Sequence, residues 1–131
     1  MTGYPTPKAA LKAAESALST DAALAGVAVG TKIPNTRPST FVRVGRAGGY
    51  RPNIVTDVMR VLVEVWAPTV AQAETICNQC IAALQNAQGT RSAGAFIRAF
   101  DNIEGPIDLP EPDVSSSERW QFTGDLYVST N

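Results

Sequence analysis

Cys77 and Cys80 are the only cysteines of the chain, and their Cys-x-x-Cys spacing is one that serves redox exchange or half of a zinc site. The surroundings argue against both. Redox pairs sit at a helix N-terminus, where the dipole lowers the thiol pKa, whereas these two fall in the middle of a predicted helix. Zinc needs two further ligands, and the sequence has no histidine and no third cysteine. Both residues lie on an apolar stripe, so they read as small core residues, free thiols of a reducing cytoplasm. The lack of histidine also removes a Ser-His-Asp or Cys-His arrangement. There is no Gly-x-Gly-x-x-Gly after a strand and no Gly-Lys-Thr phosphate loop. The glycines at 45, 48 and 49 precede no helix whose N-terminus would face a phosphate. Glu111 and Asp113 stand in a proline-bearing loop rather than on the fixed scaffold that a glycosidase pair requires. Asp101, Glu104 and Asp108 lack the oxygen spacing of an EF-hand. The sequence therefore leads to no catalytic site, metal or cofactor, and an enzyme is not the expected class.

Charge is the next signal. The net charge is −1, so the molecule as a whole is not built to bind nucleic acid. Its distribution is uneven. Residues 32–60 hold six basic side chains (Lys32, Arg37, Arg43, Arg46, Arg51, Arg60) against Asp57, a net of +5. Residues 101–125 hold seven acids (Asp101, Glu104, Asp108, Glu111, Asp113, Glu118, Asp125) against Arg119, a net of −6. Two readings stand: solvated loops that differ in charge, or complementary surfaces that meet between copies and set register and partner choice. Tyr50, between Arg46 and Arg51, resembles the aromatic interleaving of nucleic-acid binders only weakly, and a solvated loop tip is the simpler reading.

The elements that position these groups follow from periodicity. At 131 residues the chain is expected to be one domain, residues 1–131, with a core of its own. No apolar run reaches the ~20 residues that span a bilayer, and the start lacks the apolar stretch of a signal peptide, so no membrane partner is expected. Residues 58–67, VMRVLVEVWA, alternate with one fully apolar face and read as a central strand ended by Pro68. Thr69 with Gln72 forms a capping box, and Val70, Ala73, Ile76, Cys77, Cys80, Ile81 and Leu84 make the stripe of a long helix stopped near Gly89. A first helix is expected to open at Thr6 and Pro7, with Asp21 capping a short turn that Gly26 ends. Residues 27–33 read as a first strand and 41–46 as a second. Residues 45–57, GRAGGYRPNIVTD, read as a mobile basic loop. Residues 96–107 read as a fourth strand, with Ile97, Ala99 and Ile103 opposite Phe96, Arg98 and Phe100. Residues 118–130 read as the last strand, with Trp120, Phe122, Gly124, Leu126 and Val128 inward. The predicted class is α+β: a mixed or antiparallel sheet of four to five strands, flanked by an N-terminal helix and one long central helix.

The order of these features, with several local phrases, is familiar. IPNTRP at 33–38, FVRV at 41–44 before Gly48 and Gly49, VEVWA at 63–67 ahead of QAE at 72–74, and WQFTG at 120–124 together resemble the tail terminator (tail completion, head–tail joining) proteins of long-tailed phages, especially those of actinobacterial hosts. The likeness runs from about residue 18 to 128. It implies a structural virion protein, assembled in the host cytoplasm, that forms a ring of copies, six in number, at the head-proximal end of the tail tube. Such a ring ends tube polymerisation and joins the tail to the head connector. The implied partners are further copies of the chain, the major tail tube protein, a connector or stopper protein, and genomic DNA that passes through the lumen without specific binding. Another neck component, or a small ligand-binding or enzymatic α+β domain, is the alternative. On this reading Arg43, Arg46, Tyr50 and Arg51 would contact a neighbour or the tube, or part of the basic stretch would face the lumen. Asp108, Glu111 and Asp113 would supply the acidic counterpart.

Overall fold

The computed structural model describes residues 4–36, 38–110 and 117–130. Helix α1 (Ala10–Ser19) is followed by a 3-10 turn (Ala22–Leu24) and by β1 (Ala28–Gly30), β2 (Phe41–Asn53) and β3 (Thr56–Ala67). Helix α2 (Val70–Asn86), β4 (Thr90–Ser92), β5 (Ala95–Asp108) and β6 (Glu118–Ser129) complete the chain. The strands form one sheet in the order β1-β2-β3-β6-β5-β4, antiparallel except for the short parallel pair of β1 with β2. The α+β class, the N-terminal helix and the long central helix are as the sequence implies. The sheet has six strands rather than four to five, because the three-residue β4 adds an edge that is too short to show a period.

The centre is the β3–β6 pair, in unbroken register from Thr56↔Ser129 to Ala67↔Glu118. Each strand alternates cleanly, so one register places Met59, Val61, Val63 and Val65 on the same face as Leu126, Phe122 and Trp120. That face packs on both helices. Ala10, Ala13, Ala14 and Leu18 of α1 and Cys77, Cys80, Ala83 and Leu84 of α2 join the strand residues in one core. Gly124 provides the room for this packing, since a Cβ there would stand 2.5 Å from the Phe100 ring.

Caps explain most of the boundaries. The Thr69 hydroxyl accepts from Gln72 N at 3.2 Å and donates to the Gln72 side-chain oxygen, so α2 starts where the sequence places it. Asp21 accepts from Ala23 N at 2.9 Å and fixes the 3-10 turn. Helix α1 departs from expectation. It starts at Ala10 with Ala9 as its uncapped N-terminal residue, not at Thr6 and Pro7. Alanine-rich propensity and burial against the sheet carry this helix without a side-chain cap.

The larger departure is residues 45–57. They are not a loop. β2 continues to Asn53 and pairs with β3 as far as Asn53↔Thr56. Irregularities between Arg46 and Gly49 and between Tyr50 and Asn53 take up the extra residues. Glycine is required at 49: φ is +135° and a Cβ would lie 2.0 Å from the Val58 carbonyl oxygen. β5 carries similar shifts. One lies between Ile97 and Ala99, and it changes the phase of the alternation. Ile97 and Phe100 therefore share the core, whereas simple alternation puts them on opposite faces. β1 is shorter than its apolar pattern, covering only Ala28–Gly30 of the predicted 27–33.

Candidate interaction surfaces

The sheet face away from the helices carries the charged residues. Register and alternation put Arg43, Arg60, Glu64, Arg119, Thr123, Asp125 and Tyr127 there. Glu64 is held between two arginines, at 2.6 Å from Arg43 and 3.5 Å from Arg119. Arg60 is a hub. Its guanidinium donates to Asp125 Oδ1 at 3.1 Å, Glu104 Oε1 at 2.6 Å, the Thr123 hydroxyl at 2.7 Å and the Asn102 carbonyl at 2.8 Å. These bonds tie β3, β6 and β5 together across the face. They also join the basic and acidic segments within one chain, because Arg60 stands directly opposite Asp125 in the ladder. The charge asymmetry of the sequence is thus partly internal, and only the remainder is free for a partner.

The basic hairpin is ordered by a single carboxylate. The Asp57 side chain is 2% exposed and takes a two-pronged contact from Arg46 at 3.1 and 3.2 Å, with Arg51 at 3.6 Å. Arg46 also reaches the Gly48 carbonyl across the irregularity, at 3.2 Å. At the tip, Asn53 Oδ1 accepts from Val55 N at 2.9 Å, closing an Asx turn. Thr130 binds the tip carbonyls of Val55 and Ile54 at 3.0 and 2.8 Å. Tyr50 and Tyr127 flank Val58, which is fully buried in register with both. Local desolvation, then hydrogen bonding to Tyr50 and the charge of Asp101, push the Tyr127 phenol up to about 12.

The sequence candidates fall in three places. Arg43 and Arg46 are half-committed to Glu64 and Asp57. Tyr50 and Arg51 are exposed on the hairpin, beside the apolar tip residues Ile54 and Val55. Asp108 is the exposed last residue of β5, across the sheet from the hairpin, and Glu111 and Asp113 lie outside the described residues. Sequence reasoning missed three separate groupings: Arg60 with Glu104 and Asp125, Glu64 with Arg43 and Arg119, and Asp57 with Arg46 and Arg51. For the first two the signal was the row of charges on the outward positions of β3 and β6, which only the register could pair.

Cys77 and Cys80 are fully buried free thiols in the core. Burial, followed by the charge of Glu74, raises Cys77 to about 12, and burial raises Cys80 further. A hollow of about 360 Å³ lies between the N-terminal segment and the hairpin, lined by Tyr4, Pro5, Pro7, Arg51, Asn53, Ile54 and Thr130. Among the described residues that line it, the single charged group is Arg51. Among the described residues no three histidine, cysteine or acidic side chains stand close enough to hold a metal ion, and no helix is long and apolar enough to cross a membrane.

No family model and no curated protein matches the sequence. Among solved structures, a chain of the virion of a native gene transfer agent (GTA) particle is similar, with a TM-score of 0.67 at 19% identity. The match covers 89% of this chain and 92% of that one. At that identity the likeness establishes a common fold.

Proposed function

We propose that the chain is a structural protein of a phage-like virion, and within that class the tail terminator. Copies form a ring, six in number, on the head-proximal end of the tail tube, stop its growth and present a face to the head connector. The observation that carries this reading is the near end-to-end fold likeness to a chain of a gene transfer agent virion. The tail-terminator phrases of the sequence, at 33–44, 63–74 and 120–124, point to the same place independently.

The geometry is compatible in two respects. A closed ring needs a heterologous contact, in which one flank of a copy meets a different flank of the next. The sheet has two such flanks, with the basic hairpin at one side and the acidic end of β5 at the other. A DNA conduit must not hold its cargo, and attraction to phosphate scales with uncompensated cationic charge. Arg43, Arg46 and Arg60 each face a carboxylate of their own chain, which leaves a weak field for passing DNA.

Three experiments test the reading. Particles lacking the protein are viewed by electron microscopy. Overlong tails with detached heads are expected; normal tails with leaking heads would instead assign the chain to the stopper. The mass of the purified protein is then followed across concentration, with and without tail tubes. A ring-sized species on tubes is expected, and a persistent monomer would refute the ring. Arg51→Glu is the cleaner probe of the hairpin as a contact, because Arg46 is occupied with Asp57. Loss of tail completion by a folded Arg51→Glu protein is the expected result.

A further inference from the structure

We infer that the ring closes edge to edge: the uncovered part of β2 in one copy pairs with the uncovered part of β5 in the next, at equal height along the strands. This deepens the ring reading above and rests on it. Both outermost strands of the sheet are only three residues long, while their inner neighbours are long. β1 covers only Phe41 to Arg43 of β2, so among the described residues the outer edge of β2 is bare from Val44 onward. β4 covers Ala95 to Ile97, and the Gln88 side chain takes the Phe100 N–H at 2.9 Å, so among the described residues the outer edge of β5 is bare of strand partners from Asp101 to Asp108, with only the Asn102 carbonyl taken, by Arg60. A bare strand edge is a template for another strand.

The two bare windows match in height. Counting positions against β6, Val44 lies level with Phe122, Gly45 with Thr123 and Arg46 with Gly124, through β3. On the other side Asp101 lies level with Asp125, Glu104 with Thr123 and Ile107 with Gln121. Rotation of one copy about an axis along the strands, with no rise, therefore brings bare β2 beside bare β5. The pairing is confined to the rows of Phe122 to Asp125, because β1 stands level with Arg119 to Gln121, the rows of the next copy's Ile107 and Asp108, and β4 stands level with Val128 and above, the rows of the end of β2, so the two strands diverge on either side of the shared rows. A rotation without rise closes a ring, whereas a rise would give a filament. The strands meet antiparallel, since β2, β3, β6 and β5 alternate in direction.

The chemistry fits the same register. Gly45 and Glu104 share one row and one face. Arg43, two positions from Gly45, comes within diagonal reach of the neighbour's Glu104. The ion network of the open face then runs on from copy to copy, through Glu64, Arg43, the next Glu104 and the next Arg60. The irregularities of β5 and Pro106, which has no N–H, keep the ladder short. Such an edge resists casual aggregation and pairs where copies are held side by side.

The test is a disulfide between Gly45→Cys and Glu104→Cys in one chain, with mild oxidant, on tail tubes. Directly opposed antiparallel residues stand ~4.5–5.5 Å apart at Cα, inside the range a disulfide spans. A Cβ at Gly45 meets nothing closer than the Arg43 guanidinium at 3.6 Å, so the fold accepts the change. Covalent multimers up to the ring size are expected, and none from either single variant, since Cys77 and Cys80 are buried. Rings of the right mass without covalent multimers would overturn the edge pairing and leave the ring standing. Equal cross-linking of a Gly45→Cys, Ile107→Cys pair would overturn the register. A protein that stays monomeric on tubes, as read by mass alone, would overturn the ring and the pairing together. Hydrogen exchange on the unaltered protein gives a second readout: amides at 44–46 and 101–104 slow on assembly, and no change there refutes the pairing.

Discussion

Replacing Asp57 with asparagine asks how much one carboxylate orders the basic hairpin. The group is 2% exposed, and Arg46 grips both of its oxygens at 3.1 and 3.2 Å. Hydrogen bonds to charged groups contribute about 1.5–3 kcal/mol each when shielded. Arg46 is 37% exposed and Arg51 60%, so water partly replaces the lost charge and lowers the figure. The amide keeps the volume and one acceptor, so no cavity opens. The net expectation is about 2 kcal/mol of lost stability, short of the ~3–5 kcal/mol for stranding a fully buried charge. In urea, with a slope near 2 kcal/mol/M, the midpoint falls by about 1 M. A double-mutant cycle with Arg46→Met should return a coupling of about 1–2 kcal/mol. A midpoint unchanged to within about 0.2 M, at constant slope, would refute the view that this pair holds residues 46–57 in place.

Four further outcomes are expected. Cys77 and Cys80 should resist a thiol reagent at pH 8 in the folded protein and react at once in denaturant, because burial disfavours the thiolate; comparable rates in both states would contradict their burial. The same shift has a consequence at high pH. Between about 9, where the unfolded Cys77 thiol ionises, and about 12, where the folded one does, the unfolded state binds fewer protons. Stability therefore falls as pH rises through that window, measurable as a declining urea midpoint whose slope Cys77→Ala reduces, with Cys80 supplying the rest. Arg60→Met should cost about 3 kcal/mol, since it leaves the carboxylate of Asp125 with no cation and only the Asn102 amide as a partner, and Arg60→Lys should recover only part of this, because one ammonium cannot span four acceptors on β6 and β5; full recovery by lysine in a thermal melt would refute the hub. Gly49→Ala should cost more than about 3 kcal/mol or abolish folding, because the added Cβ would sit 2.0 Å from the Val58 oxygen at a φ of +135°, whereas Gly48→Ala, with nothing within 4 Å, meets only backbone strain at its positive φ and should cost less.

The centre of the fold was legible because each signal there is local and unopposed. β3 and β6 alternate without a break, and Thr69, Gln72 and Gly89 mark both ends of α2. Where the sequence misled, a local rule yielded to a tertiary one. Three glycines and a proline in 45–57 look like a loop, yet Gly45 pairs in regular register and Gly48 and Gly49 serve an irregularity in a strand that β3 holds along its length. Ile97 and Phe100 are an odd number of positions apart, and one inserted residue brings them to the same face. β4 takes its order from Gly89 N bonding the Ile97 carbonyl at 2.8 Å and from pairing with β5, neither of which leaves a pattern in three residues. Of the proposed contact residues, Arg43 and Arg46 were visible as basic groups, but their partners Glu64 and Asp57 became visible only through register.

The same register bears on how a ring would form. Stable protein interfaces bury about 1,200–2,000 Å² in all, much of their central area apolar. The edges that face outward here are interrupted and charged, and the exposed large apolar groups are spread out: Tyr50, Ile54 and Val55 on the hairpin, Tyr4 in the N-terminal segment, Ile33 after β1, Ile107 at the far end of β5, and Val70 at the start of α2. A pair of copies joined by a few strand rows and an ion ladder gains little over two solvated monomers, because exposed ion pairs contribute about 0–1 kcal/mol each. Closure gains more. Once copies are lined up on a template, each further contact forms at high effective concentration, and the last copy makes two contacts at once. In the proposed ring, weak flanks therefore make assembly depend on the finished tube. On that proposal free protein would stay dispersed, and the cap would form where the tube offers the template.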